Sequence, residues 1–136
     1  MDYELWNLII ISIIALTHCL LINTYRVLTG TKRTYLDEKL FTIKINQYDQ
    51  LIDGWKVGHF VNYFCIGLLA PKYWYLGILV GILMELLEMF CSKYVVTVRH
   101  NLVGDTIINT FGIVCGLAAC KITGFKLDII KTLRIY

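Results

Sequence analysis

The sequence predicts an all-α integral membrane protein, a four-helix bundle with an amphipathic interfacial helix between helices 1 and 2. Three observations predict it. Of 136 residues, 57% are hydrophobic and only 17% charged, and the mean hydropathy is +0.64. A chain this small has too much surface for its volume to hide so many apolar side chains from water. Finally, apolar runs near the length needed to cross a bilayer recur along the chain. They form one domain over residues 1–136.

Leu5–Ile22 is uncharged, with only Asn7, Ser12, Thr17 and His18 as polar residues. It predicts helix 1, about residues 5–23. The chain opens with Asp2 and Glu4, whereas a secretory signal opens with positive charge. Thr24–Lys56 is a polar connection. Within it Phe41, Ile45, Tyr48, Ile52 and Trp55 recur four, three, four and three apart, the spacing of one helical face. That pattern predicts an amphipathic helix on the membrane surface. Helices 2, 3 and 4 are predicted at about 57–70, 73–92 and 102–120. Pro71 marks the turn between the second and third. Tyr73, Trp74 and Tyr75 suit a lipid-headgroup boundary. Lys121–Tyr136 reads as an amphipathic basic tail at the interface. The five cysteines lie in or beside apolar runs with no zinc-type spacing, so they read as small buried apolar residues. The net charge of +3 is too small to suggest nucleic acid and fits positive loops beside membrane helices.

Charge inside these helices is the informative feature. Tracing the chain up and down through four helices places His59, Glu85, Glu88, Asp105 and Asn109 in the same half of the membrane. Gly81, Glu85 and Glu88 share a face of helix 3. Asp105, Asn109, Gly112 and Gly116 share a face of helix 4, where small residues allow close backbone approach. His59, Asn62 and Tyr63 share a face of helix 2. A membrane-buried charge costs at least about 2.5 kcal/mol, and carboxylates at one depth repel each other. They need a cation or a proton. Lys93, Arg99 and His100 are candidate partners, and so is a divalent ion. Hard oxygen ligands suit calcium or magnesium, with Glu85, Glu88 and Asp105 as the metal ligands. His18 and His100 read as structural and loop residues.

Lys56-Val57-Gly58-His59-Phe60 followed by Tyr63 and Gly67, then Gly81-x-x-x-Glu85, then Arg99-x5-Asp105-x3-Asn109-x2-Gly112-x3-Gly116, resembles the VanZ-like family of membrane proteins over about residues 50–120. Trp55 stands where that pattern has aspartate, and Glu88 where it often has glutamine. Glu85-Leu86-Leu87-Glu88 is more distantly similar to the Glu-x-x-Glu of base-exchange phosphatidylserine synthases, which use calcium, although their tryptophan-rich motif is replaced here by Asn101-Leu102-Val103-Gly104. VanZ-like proteins are linked to low-level teicoplanin resistance.

The expected function is action on, or binding of, a phospholipid or envelope-lipid headgroup. His59 is the candidate general base. Glu85, Glu88 and Asp105 hold a divalent ion that grips phosphate. Asn109 orients substrate or a carboxylate. Arg99, with Lys56 and Tyr63 of the VanZ-like motif, contacts the headgroup. Whether the protein is an enzyme, such as a lipid headgroup transferase, stays open at this point. A non-catalytic protein with a structural polar cluster is the competing reading, and an ion pathway a weaker third. Membrane lipids are the expected partners. The oligomeric state is open, a homo-oligomer included. The basic residues before helix 2 and after helix 3 tip that side toward the cytoplasm.

Overall fold

The computed structural model describes residues 2–30, 43–44, 50–52, 54–94 and 102–133. Among them are five α-helices: α1 (Tyr3–Thr29), α2 (Gly54–Leu69), α3 (Trp74–Ser92), α4 (Leu102–Thr123) and the short α5 (Ile129–Leu133). Two short strands, β1 (Ile43–Lys44) and β2 (Gln50–Ile52), precede α2, and a 3-10 turn at Pro71–Tyr73 leads into α3.

Among the described residues, three helices are long and apolar enough to cross a membrane: Tyr3–Thr29, Pro71–Ser92 and Val103–Thr123. The 16 residues of α2 extend about 24 Å at 1.5 Å per residue, short of a hydrocarbon core of about 30 Å.

The distribution of polarity is the reverse of a water-soluble domain. Asn7, Arg26, Glu85, Glu88, Asp105 and Asn109 are buried, whereas Ile13, Leu21, Leu83, Ile107 and Phe111 are more than half exposed. An apolar exterior of this extent costs nothing against lipid tails and would be a liability in water.

Asp2 caps the start of α1 by accepting from the Glu4 N–H at 3.1 Å. Its carboxylate also accepts from Lys72 Nζ at 2.6 Å and Tyr73 Oη at 2.8 Å. These bonds, led by that from Lys72, hold the Asp2 carboxyl down at about 2. The other end of α1 runs past the predicted boundary to Thr29. There Gly30 adopts φ +66° and donates back to the Arg26 and Val27 carbonyls, a left-handed stop that glycine makes without strain.

The most extensive helix pairing among the described residues is α2 against α4. Glycines make it so close. A Cβ on Gly112 would come 2.7 Å from the Phe60 carbonyl oxygen, and one on Gly116 would collide with the Phe64 carbonyl oxygen. Gly67 fits against the Ile113 carbonyl in the same way. Beside this seam, Leu8, Ile11, Tyr63, Ile66, Ala70 and Ile113 form the apolar core.

The tail is also docked. Asn7, fully buried in α1, donates to the Leu69 carbonyl at 2.8 Å and the Leu127 carbonyl at 2.6 Å, and accepts from the Ile129 N–H at 3.1 Å. One amide thus joins α1, the end of α2 and the start of α5. The basic tail expected at the interface is folded back onto the bundle over Ile129–Leu133.

The segment before α2 differs from expectation. Where it is described it is extended: β1 and β2 pair antiparallel, with Ile43 opposite Ile52 and Lys44 opposite Gln50. Phe41, Ile45 and Tyr48 lie outside the described residues, and Trp55 belongs to the first turn of α2. β-branched Ile43 and Ile52 suit the extended backbone described there.

Candidate functional site

His59 sits in the second turn of α2, Glu85 and Glu88 one turn apart on α3, and Asp105 and Asn109 one turn apart on α4. Each of these faces carries polar side chains inward because the opposite faces are covered by lipid-compatible residues. The four acidic and amide side chains are almost wholly removed from solvent: Glu85 is 0% exposed, Glu88 4%, Asp105 1% and Asn109 2%.

Their geometry is specific. His59 Nδ1 lies 3.0 Å from Asn109 Oδ1. An amide oxygen only accepts, so this contact puts the proton on Nδ1 and leaves Nε2 as the basic nitrogen. The same Nδ1 is 3.6 Å from Glu85 Oε1, beyond a good hydrogen bond. His59, Glu85 and Glu88 each offer a ligand atom within 4.8 Å of the others. Neither oxygen of Glu85, nor Oε2 of Glu88, nor Nδ2 of Asn109 has a hydrogen-bond partner among the described residues. Buried acceptors left in that condition cost free energy and mark a place where a cation or a donor would be stabilised.

Helix α1 contributes what sequence reading missed. Arg26 is fully buried, its guanidinium carbon 4.5 Å from the centre of the Trp55 ring. It donates from Nη1 to Asn23 Oδ1 at 3.3 Å. Asn23 donates from Nδ2 to Cys19 Sγ at 3.3 Å, and the Cys19 thiol donates to Glu88 Oε1 at 2.8 Å. A line of hydrogen bonds therefore climbs α1 from a guanidinium to a carboxylate of the cluster. Sequence reading placed Arg26 in a polar loop because the apolar run stops at Ile22. The glycine at 30, a helix stop, was the signal that the helix continues.

The polar cluster opens onto a cavity of about 30 Å³. His18, Cys19, His59, Tyr63 and Glu88 are among its lining residues. That volume accommodates an ion or a water and is too small for a headgroup. Tyr63 is 4% exposed. Gly81 makes room for it, since a Cβ there would stand 3.1 Å from the Tyr63 ring. A larger groove of about 280 Å³ runs between α1 and α3 and shares Cys19, Met84 and Glu88 with the cavity.

The structure thus brings His59, Glu85, Glu88 and Asn109 together. Asp105, expected as a ligand beside the two glutamates, is buried one turn from Asn109, and His59, Glu85 and Glu88 are a group that could hold a metal ion. Lys56 is half-buried in the first turn of α2. Arg99 and His100 lie outside the described residues. No family model, characterised protein or solved structure matches this chain.

Proposed function

We propose that this chain is a multi-pass membrane protein whose buried polar cluster binds or acts on a phospholipid or envelope-lipid headgroup, with a divalent cation held by His59, Glu85 and Glu88. The observation that carries the reading is the convergence of one imidazole and two carboxylates from two helices, with Glu85 wholly buried and neither of its oxygens hydrogen-bonded to a described residue. Charge is expensive in this setting, and a dication offsets it.

The donor set refines the expected metal. Calcium and magnesium suit all-oxygen sites. An imidazole with two carboxylates suits zinc, manganese or iron as well. Asn109, accepting from Nδ1–H, fixes the ring so that Nε2 is the nitrogen left to act, as base or as ligand. That is the usual role of an outer-shell acceptor beside a metal-bound histidine. Arg99, Lys56 and Tyr63 belong to the same proposal as headgroup contacts, and Asp105 as a further acidic group for the cation. The VanZ-like pattern over about residues 50–120 agrees with it. A phosphatidylserine-synthase-like, calcium-dependent headgroup exchange is the more specific variant.

The test is thermal unfolding of the detergent-purified protein with zinc, manganese, calcium or magnesium added singly, for wild type and Glu88→Gln. A ligand that binds only the folded state stabilises it. Stabilisation of the wild type and none of the variant supports the metal site, after which serine exchange on phospholipid vesicles tests the chemistry. If no metal stabilises the wild type and Glu88→Gln is at least as stable, the metal-dependent reading fails.

A second reading is favoured by two contacts. Cys19–Glu88 ties α1 to α3 and His59–Asn109 ties α2 to α4, so the cluster would fasten the helices without chemistry. It predicts that Glu88→Gln and His59→Ala lose folding together, with no metal response in either.

A further inference from the structure

A headgroup cannot enter a cavity of about 30 Å³, so a lipid acted on here must present its polar end from an adjoining space. The groove between α1 and α3 is that space. Its volume is about 280 Å³, and its walls include Leu16, Leu20, Val27 and Leu87. Both flanking helices are long and apolar enough to cross a membrane, so in a bilayer the groove is covered by hydrocarbon. At its inner wall stands Glu88, which also lines the polar cavity. The carboxylate is 4% exposed, Oε1 is taken by the Cys19 thiol, and Oε2 has no hydrogen-bond partner among the described residues.

We propose that the α1–α3 groove is the lateral entry from the bilayer: one lipid chain lies along it, and a hydrogen-bond donor of that lipid's headgroup, a hydroxyl or an ammonium, meets Glu88 Oε2. The inference rests on the lipid-headgroup reading and adds the route and the recognition chemistry. An apolar trough satisfies the chain at no desolvation cost. A carboxylate shielded from water is a strong acceptor for a donor brought to it. Glu88 also belongs to the His59–Glu85–Glu88 group, so the donor meets Oε2 when that oxygen is not ligating the cation, and a headgroup held there sits beside the group's other side chains.

The experiment is native mass spectrometry of the detergent-solubilised protein, after exposure to phosphatidylethanolamine, phosphatidylglycerol or phosphatidylcholine with identical chains. The first two carry a donor in the headgroup and the third does not. Leu20→Trp and Leu87→Trp fill the groove. Leu79→Trp, on an exposed face of α3 that does not line it, is the control, and gel filtration verifies that each variant is folded.

The expected result is one retained lipid for wild type and Leu79→Trp, lost in both groove variants. Phosphatidylcholine should be retained about tenfold less than the donor lipids, the worth of one bond to a charged acceptor. Equal retention by the groove variants overturns the route while leaving headgroup binding intact. Equal retention of all three lipids overturns the role of Glu88. A wild type that retains no lipid overturns both the route and the headgroup reading. A lipid-free dimer whose mass reverts to monomer in Leu20→Trp assigns the groove to a second copy and overturns the proposal.

Discussion

His59 and Asn109 meet at 3.0 Å one turn from the point where the backbones of α2 and α4 touch at Phe60 and Gly112. The glycine contact sets the distance over which the histidine is held. A side chain there must push the helices apart before it fits.

Gly112→Ala is therefore expected to act twice. Overpacking at a backbone contact costs about 1–3 kcal/mol, read as a lower unfolding temperature in detergent. The same displacement lengthens the His59–Asn109 bond, so any metal response weakens further than stability alone accounts for. Gly30→Ala is the comparison: nothing stands within 4 Å of its Cβ, and only the positive φ is strained, at about 1–2 kcal/mol.

Asn109→Leu keeps the volume and removes the acceptor. The half-buried His59 N–H loses its amide partner, at about 1 kcal/mol. If the ring serves a metal, its affinity falls about 10- to 100-fold, measured by titration of the stabilising ion. Asn109→Asp keeps an acceptor and is expected to retain more metal affinity than the leucine variant.

Asn7→Leu tests the latch at the far end of α1. Three hydrogen bonds are lost at about 1 kcal/mol each. Hydrogen exchange localises the effect: amides of Ile129–Leu133 lose protection, while those of α2 and α4 around Gly112 keep theirs.

The Asp2 carboxyl is lowered from its ordinary 3.8 to about 2 by Lys72, Tyr73 and the Glu4 N–H. The folded state thus binds fewer protons than the unfolded one in this interval, and the contribution is present above about pH 4. It is lost as pH falls from about 4 to about 2. Asp2→Asn should flatten the pH dependence of unfolding over that window and lower the curve by a constant amount above about pH 4, with its slope there unchanged.

Much of the site was legible because it violates its surroundings. Carboxylates and a histidine in apolar helices are costly, and following the chain through the membrane places His59, Glu85, Glu88 and Asn109 together, where the structure has them. The same logic was blind to α1. Cys19 counts as apolar until a carboxylate faces it. Asn7 is one polar residue in a long apolar run, and only the folded tail reveals that it has three partners. Arg26 lay beyond the unbroken apolar run that stops at Ile22, although burial follows where a helix ends and not where its hydropathy ends. The segment around Ile43 and Ile52 misled for another reason: four-three spacing fits a helix, but the described residues settle into a strand pair.

The contacts at the start of α1 carry a topological consequence. Asp2 grips Lys72 and Tyr73, and Asn7 grips Leu127 and Ile129, so the two extremities of the described chain meet at one end of the bundle. Reporters fused ahead of Asp2 and behind Leu133 therefore read the same compartment.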